Sequence, residues 1–311
     1  MRIVVALGGN ALLRRRESMT AQAQRANVRR AVAALLPLFE AGLQLVITHG
    51  NGPQVGLLGL QAAMGPKDGA YPLDVLDAES EGMMGYLIEQ ELVNALPRGR
   101  LFATLLTQVL VDRRDPAFRE PTKPIGPVYD GAEAKRLAEM RGWTMGHLVD
   151  GRRRVVASPQ PLQVLEARVI EMLASQGVTV ICAGGGGIPV MERSDGTLLG
   201  VEAVVDKDLA SALLARQLGA DHLILLTDVE GVYLDWGSQS PRLIKRAGMR
   251  ALNPADFAPG SMGPKIEAAI GFVAETGRPA SIGGLEEAAL VLAGVSGTRI
   301  DAETTDLLRS Q

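Results

Sequence analysis

Short apolar runs alternate along the chain with longer segments whose hydrophobic residues recur at helical spacing. Runs that are apolar throughout indicate strands buried on both faces, as in a parallel sheet. The helical pattern over residues 20–41 stops before Gly42, a residue well suited to end a helix. The alternation predicts an α/β fold, with a mostly parallel central sheet covered by helices on both sides. The strands are expected at residues 2–7, 43–48, 101–109, 178–183 and 222–227.

One segment interrupts this rhythm. Residues 112–161 contain six prolines and a cluster of charges. We predict an insertion outside the main sheet, because loops of this length in compact domains are usually functional or disordered. A predicted helix near residues 210–219 separates two sets of strands. It marks a coarse boundary within a chain whose length suggests about two domains.

Composition and charge exclude several classes of protein. Lys and Arg number 32 against 35 Asp and Glu, and this balance argues against a nucleic-acid-binding protein. No apolar run approaches the roughly 18 residues of a membrane span, and the short apolar run at residues 3–7 does not resemble a signal peptide. The single cysteine, Cys182, excludes an internal disulfide framework. We therefore expect a cytoplasmic protein.

Glycine is unusually frequent, at 36 of 311 residues, and much of it follows predicted strands. Glycines at the carboxyl end of a parallel strand let backbone N–H groups face a ligand, and open α/β sheets bind ligands at that edge. A tight turn or a flexible linker is the alternative for each loop. Three loops together favour one phosphate or oxyanion cradle. Its candidate residues are Gly8, Gly9, Asn10, Gly50, Asn51, Gly52, Gly184 and Gly185.

Charged residues add two further candidates. The sequence Asp206-Lys207-Asp208 lies in an apolar segment, where charges usually pair or serve a site. Lys265 follows a glycine-containing turn at the start of a predicted helix over residues 266–276, an arrangement typical of anion sites. Residues 226–233 read either as a hairpin turn or as the rim of a nucleotide site. The sequence lacks the glycine spacing of a Walker A loop or of a Rossmann fingerprint.

Seven motifs, in order along the chain, resemble the carbamate kinases, a branch of the amino acid kinase superfamily. The resemblance extends almost to residue 300. The motifs are GGNAL at 8–12, THGNGPQVG at 48–56, PTKPIGP at 121–127, GGGGIPV at 184–190, VEAVVDKDLASALLA at 201–215, LTDVEGVY at 226–233 and FAPGSMGPK at 257–265.

The resemblance implies an open αβα sandwich with two lobes and a small protruding subdomain. Residues 1–212 would form the acceptor lobe, with the subdomain at about 112–161, and residues 213–311 would form the nucleotide-binding lobe. The implied reaction is reversible: MgATP and carbamate give MgADP and carbamoyl phosphate. A homodimer is implied, with Mg²⁺ held mainly by the nucleotide phosphates and without a dedicated protein cage.

The resemblance also implies roles for individual residues. Lys207, held by Asp206 or Asp208, would lie at the transferred phosphoryl group, and Lys123 would reach in from the subdomain. Lys265 would contact the nucleotide phosphates. The glycines and asparagines of the first two loops would line the carbamate and phosphoryl site. The residues implied near the nucleotide are Thr227, Asp228, Val229, Tyr233, Met262, Gly263 and Lys265.

Two positions depart from the family pattern. Arg119 replaces a Lys, which keeps the charge but changes its geometry, and Glu81 replaces a Gln. A carboxylate facing the carbamate site would repel the substrate. Two other functions stay open: a kinase for another small carboxylate, such as acetylglutamate, and a non-catalytic sensor of nucleotide or carbamoyl phosphate. Residues 121–127 and 206–208 argue against the first, and the three lysines argue against the second.

Overall fold

The structure is a computed structural model, and it describes residues 1–12, 17, 20–65, 71–148 and 151–309. Its strands are β1 Arg2–Leu7, β2 Gln44–His49, β3 Phe102–Thr104, β4 Gln108–Val111, β5 Lys123–Tyr129, β6 Met145–Leu148, β7 Gly151–Val156, β8 Pro161–Val164, β9 Thr179–Ile181, β10 Ile188–Glu192, β11 Leu198–Gly200, β12 His222–Thr227, β13 Val232–Leu234, β14 Arg242–Gly248, β15 Ala280–Gly284, β16 Thr298–Asp301 and β17 Leu307–Arg309.

The helices follow the apolar patterns of the sequence. They are α1 Gly9–Leu12, α2 Ala21–Glu40, α3 Gly52–Met64, α4 Leu73–Ala95, α5 Gly131–Arg141, α6 Ala167–Ser175, α7 Lys207–Gln217, α8 Met262–Thr276 and α9 Ala288–Ala293. None of these helices combines the length and the apolar character that crossing a membrane requires.

The central sheet has the order β13-β14-β16-β15-β12-β1-β2-β9-β3, and β17 pairs with β14 at one end. Its middle is parallel, from β15 through β12, β1, β2 and β9 to β3. Strand β1 has Val4 and Ala6 in one apolar core and Ile3, Val5 and Leu7 in the other. Helices α6, α7 and α8 contribute to the first core, and α2, α4 and α9 to the second. The predicted mostly parallel sheet with helices on both faces is confirmed.

The strand predicted over residues 101–109 is wrong as a single element. Strand β3 belongs to the central sheet, whereas β4 joins a second sheet of order β11-β10-β4-β8. The chain turns between them, where the Leu105 amide donates to Ile181 O and the Thr107 hydroxyl donates to Leu105 O. An apolar run does not encode which sheet each half joins.

The predicted insertion forms a separate small body. Strands β5, β7 and β6 make a three-stranded antiparallel sheet, with α5 beside it, so the prediction of a segment outside the main sheet is confirmed. Its backbone touches the main body directly. An ideal Cβ on Gly56 of α3 would lie 2.1 Å from Gly126 Cα of β5. This contact holds the first residue of β5, Lys123, near the edge of the central sheet.

Candidate active site

The predicted site residues lie at the carboxyl edge of the parallel strands. Chain segments leave this edge after β1, β2, β9 and β12, at Gly8, Gly50, Cys182 and Asp228. Four neighbouring parallel strands end on the same side, so residues far apart in sequence meet there.

The first two glycine loops touch each other. An ideal Cβ on Gly50 would lie 2.9 Å from Gly9 Cα and 3.5 Å from Lys207 Cδ, so only glycine allows this approach. The first two loops are therefore in contact, and their role as a cradle for phosphate or an oxyanion stays a prediction. The Asn51 side chain is buried beside them and donates to Ser80 Oγ over 2.6 Å, and Gly52 opens α3. The side chain of Asn10 lies outside the described residues.

The expectation that these glycines offer amide hydrogens to a ligand is wrong at three positions. The Gly8 amide donates to Leu226 O and the Gly50 amide to Leu7 O, both over 3.0 Å, because each continues the pairing of its strand. The Gly184 amide donates to the Glu81 carboxylate over 2.8 Å. These three glycines contribute close approach of the backbone, and their N–H groups serve the fold.

The third loop follows β9 as a compact turn. Ala183, Gly185, Gly186 and Gly187 have positive φ angles, from 48° to 104°. An ideal Cβ on Gly185 would lie 2.1 Å from the Asn51 side chain, which joins this turn to the second loop. The flexible-linker alternative for this segment is wrong, since all four glycines pack against neighbouring atoms.

Three lysines from different elements share two carboxylates. Lys123 Nζ lies 2.5 Å from Asp206 Oδ2, and Lys265 Nζ lies 3.0 Å from Asp208 Oδ2. Lys207 pairs with the other oxygen of Asp208. The cluster therefore carries a formal charge of one positive, which suits a site for anions.

Asp206 has a second task at the start of α7. Its Oδ1 accepts from the Asp208 amide over 2.9 Å, so the same carboxylate caps the helix and holds Lys123. Such a cap is typically worth about 1 kcal/mol. The position of Lys123 is thereby tied to the helix that presents Lys207.

The electrostatics of the cluster follow from burial and pairing. Burial alone would raise the pKa of Asp208, but the ammonium groups of Lys207 and Lys265 hold it far below its usual value. Burial lowers the pKa of Lys207. For Lys265, burial also acts to lower the pKa, but the carboxylate of Asp208 outweighs it and raises the pKa.

A cavity of about 520 Å³ opens beside the cluster, between the end of β12 and the start of α8. Its walls include Thr227, Asp228, Val229, Tyr233 and Met262, so five predicted nucleotide-site residues lie together. The plain hairpin alternative is wrong, because β12 is central in the sheet and β13 pairs with β14.

Two other predicted nucleotide-site residues have different surroundings. Gly263 packs against the backbone, with its ideal Cβ 3.1 Å from Pro254 O, and is not among the cavity walls. Lys265 lies one turn into α8 and contacts Asp208. The cavity wall also contains residues that the sequence did not predict, among them Trp236, Asn253 and Asp256. The sequence signal for Trp236 was its position three residues after Tyr233, and in the structure the two rings lie 5.3 Å apart.

The two departures from the family pattern differ in their surroundings. Arg119 is exposed, after a turn at Pro116–Phe118. Glu81 of α4 is buried, and its carboxylate accepts from the amides of Thr107 and Gly184. The expected repulsion of substrate by Glu81 is therefore not supported, because both its oxygens are directed at backbone amides.

His49 is buried beneath the glycine turn. Burial lowers its pKa to about 4, so its imidazole is neutral at pH 7. Its Nδ1 lies 3.2 Å from Gly50 O, and its Nε2 has no hydrogen-bond partner among the described residues. The buried, neutral imidazole of His49 therefore contacts its own loop through Gly50 O.

Within the described ranges, no group of three or more His, Cys, Asp or Glu side chains could hold a metal ion. The two carboxylates of the lysine cluster, Asp206 and Asp208, are already paired with lysines. These donors therefore form no cage of their own, and the way in which Mg²⁺ is held stays a prediction.

Comparison with known proteins shows the family of this chain. Residues 1–284 match the model of the amino acid kinase family. Carbamate kinase of Haemophilus influenzae is 53% identical over 98% of both chains, and that of Pyrococcus furiosus is 44% identical over 96% of this chain and 98% of its own. The structure of Giardia lamblia carbamate kinase bound to AMP-PNP superposes with a TM-score of 0.85 at 39% identity, covering 96% of this chain and 98% of that one. The chain therefore belongs to the amino acid kinase family, in its carbamate kinase branch.

Proposed function

We propose that this chain transfers a phosphoryl group reversibly between MgATP and carbamate, giving MgADP and carbamoyl phosphate. The observation that carries the proposal is the cluster of Lys123, Lys207 and Lys265 around Asp206 and Asp208. Lys207 of this cluster lies beside the touching glycine loops, and Lys265 lies one helical turn after Met262, a residue in the wall of the cavity of about 520 Å³. The relatives named carbamate kinase span nearly the whole chain and support the same reaction.

The transfer needs no covalent enzyme intermediate. A carbamate oxygen attacks the γ-phosphorus in line, the bond from that phosphorus to the bridging oxygen breaks, and its electron pair leaves with ADP. Because phosphoryl transfer depends mainly on positioning and charge stabilisation, the lysine ammonium groups are the main contribution of the protein. Asp206 and Asp208 orient those ammonium groups and carry no proton in the reaction.

The lysines have different partners in this scheme. Lys207 lies at the contact of the two glycine loops, and we assign it to the transferred phosphoryl group. Lys265 follows Met262 by one helical turn, so we assign it to the phosphates of a nucleotide whose base occupies the cavity. Lys123, the first residue of β5 in the small three-stranded sheet, adds the third ammonium group of the cluster. Mg²⁺ bound to the phosphates would neutralise further negative charge.

The division at residues 212 and 213 stays a proposal, and it falls inside α7. The acceptor lobe would then supply Lys123 and Lys207, and the nucleotide-binding lobe would supply Lys265. The homodimer and the cytoplasmic location also stay predictions. Light scattering tests the first, with an expected mass of twice 32.9 kDa.

The direct test is ATP formation from MgADP and carbamoyl phosphate by the purified protein. In the other direction, ADP release from MgATP is compared for carbamate, acetate and N-acetylglutamate at equal concentrations. We expect ATP formation, and turnover with carbamate well above the other two. Faster turnover with another carboxylate would replace carbamate as the substrate. Tight nucleotide binding without any turnover would instead indicate a sensor.

A further inference from the structure

Residues 80–81 of α4 contact the second and third glycine loops. Ser80 accepts from Asn51 Nδ2, and Glu81 accepts from Gly184 N over 2.8 Å and from Thr107 N over 3.1 Å. Both acidic oxygens of Glu81 are thus used by backbone donors of two different segments. A buried carboxylate that joins two loops restricts how each can move.

The segments held by Glu81 are also joined to each other. The Ala183 amide donates to Thr107 Oγ1 over 2.9 Å, and the Ile188 amide donates to Thr107 O over 2.7 Å. The glycine turn is therefore fixed at both ends to the strand connection at residues 105–107. Glu81 adds a hydrogen bond to each of these two segments.

The glycine turn in turn contacts both halves of the acceptor site. Its Gly185 packs on Asn51, and an ideal Cβ on Gly186 would lie 2.4 Å from Val205 O, one residue before Asp206. A shift of the turn would displace Asn51 on one side and the Asp206–Lys207 segment on the other.

We propose that Glu81 is a positioning residue for phosphoryl transfer, whose ionised carboxylate fixes the Gly184 turn and thereby sets Asn51 against Lys207. The inference rests on the proposed carbamate kinase reaction. Glu81 acts through the backbone and touches neither substrate. A protonated carboxyl loses one acceptor position, so one of the two amides loses its partner.

Protonation of Glu81 falls within a measurable pH range. Burial raises its pKa to about 8, although the amides of Thr107 and Gly184 act in the opposite direction. The titratable groups that face it from the surrounding elements are His49, Asp77, Cys182 and Glu166. His49 is neutral near pH 8, and burial keeps the pKa of Cys182 well above its usual value.

The test compares Glu81→Gln with Glu79→Gln, an exposed carboxylate two residues away on the same helix. For each protein, kcat/KM for carbamoyl phosphate and KM for MgADP are measured from pH 6 to pH 10. Amide resonances of Gly184 and Thr107 are followed by NMR over the same range, without substrate.

We expect Glu81→Gln to lower kcat/KM for carbamoyl phosphate by roughly 10- to 100-fold, since small displacements of catalytic groups have effects of this size. KM for MgADP should stay within about twofold, because the nucleotide cavity is not part of this network. The ratio of wild-type to Glu81→Gln activity should rise as the pH passes through 8. Taking this ratio cancels the effects of pH on the substrates, which are the same for both proteins. Both amide resonances should titrate together in the wild type and in Glu79→Gln.

Equal activity of Glu81→Gln and Glu79→Gln at every pH would overturn the proposal, as would Gly184 and Thr107 resonances that do not titrate. If the wild type forms no ATP, the proposed reaction fails. The amide titration would then still decide whether Glu81 controls the loops.

Discussion

Two buried carboxylates near the same site are stabilised in opposite ways. Asp208 is paired with the ammonium groups of Lys207 and Lys265, and its pKa is held far below normal. Glu81 is satisfied by two backbone amides, and burial raises its pKa to about 8. Hydrogen-bond donors are present in both cases, but full positive charges compensate only Asp208. Neutral donors complete the hydrogen bonds of a buried carboxylate. The free-energy cost of burying its charge, however, is offset mainly by a nearby opposite charge.

The substitution with the largest expected effect removes the charge of Asp208, the carboxylate that is paired with lysines. We expect Asp208→Asn to lower the free energy of unfolding by about 3–5 kcal/mol, because two buried ammonium groups lose their shared partner. Urea denaturation at pH 7 measures the change. Asp195→Asn, at an exposed carboxylate, is the control and should be nearly neutral. Equal stability of the two variants would show that Asp208 is not the electrostatic centre of the cluster.

The next test removes one ammonium group and leaves Asp208 paired with Lys265. We expect Lys207→Ala to lower kcat for ATP formation by about 10²–10³-fold, the usual effect of losing one preorganised donor. The control is Lys135→Ala, an exposed lysine on α5. Circular dichroism confirms that both variants are folded. Turnover close to wild type in Lys207→Ala would remove this lysine from the transfer step.

The third test uses the pH dependence of stability. The pKa of Glu81 is raised on folding, so its stabilising contribution is complete below its unfolded value near 4.5 and is lost as pH rises through 8. Between pH 6 and pH 7 the wild type should lose about 1.4 kcal/mol through this group, and Glu81→Gln should lack that loss. Urea denaturation of both proteins at the two pH values gives the difference. Identical pH slopes would mean that Glu81 is ionised throughout.

The substitution with the smallest expected effect is in the wall of the cavity assigned to the nucleotide. We expect Trp236→Ala to raise KM for MgADP by about fivefold, roughly 1 kcal/mol, since an aromatic wall of the cavity is removed. The control is Trp143→Ala, whose ring packs under Arg154 of the small sheet. A similar change of KM in both variants would point to a general loss of structure.

The sequence predicted the scaffold better than the contacts. The apolar runs predicted β1 and β12 with correct bounds, because strands buried on both faces leave a continuous signal. The contact between the loops at residues 8–9 and 50 was predictable from glycines after successive strands. The partners of their amides were not, because hydrogen bonds such as that from Gly184 to Glu81 join residues 103 positions apart. For the same reason, no local pattern indicated that Glu81 lies beneath the loops.

The four glycines at residues 184–187 have a consequence for how this sequence can vary. Every other amino acid would bring a Cβ, and at these positions that carbon would lie 2.1–2.5 Å from His49, Asn51, Val205 or Val109. Three of the four also have positive φ angles. In a library that varies this stretch and is screened for ATP formation from MgADP and carbamoyl phosphate, the active clones should all encode glycine at these four positions. Close packing and backbone conformation together therefore restrict these four positions to glycine.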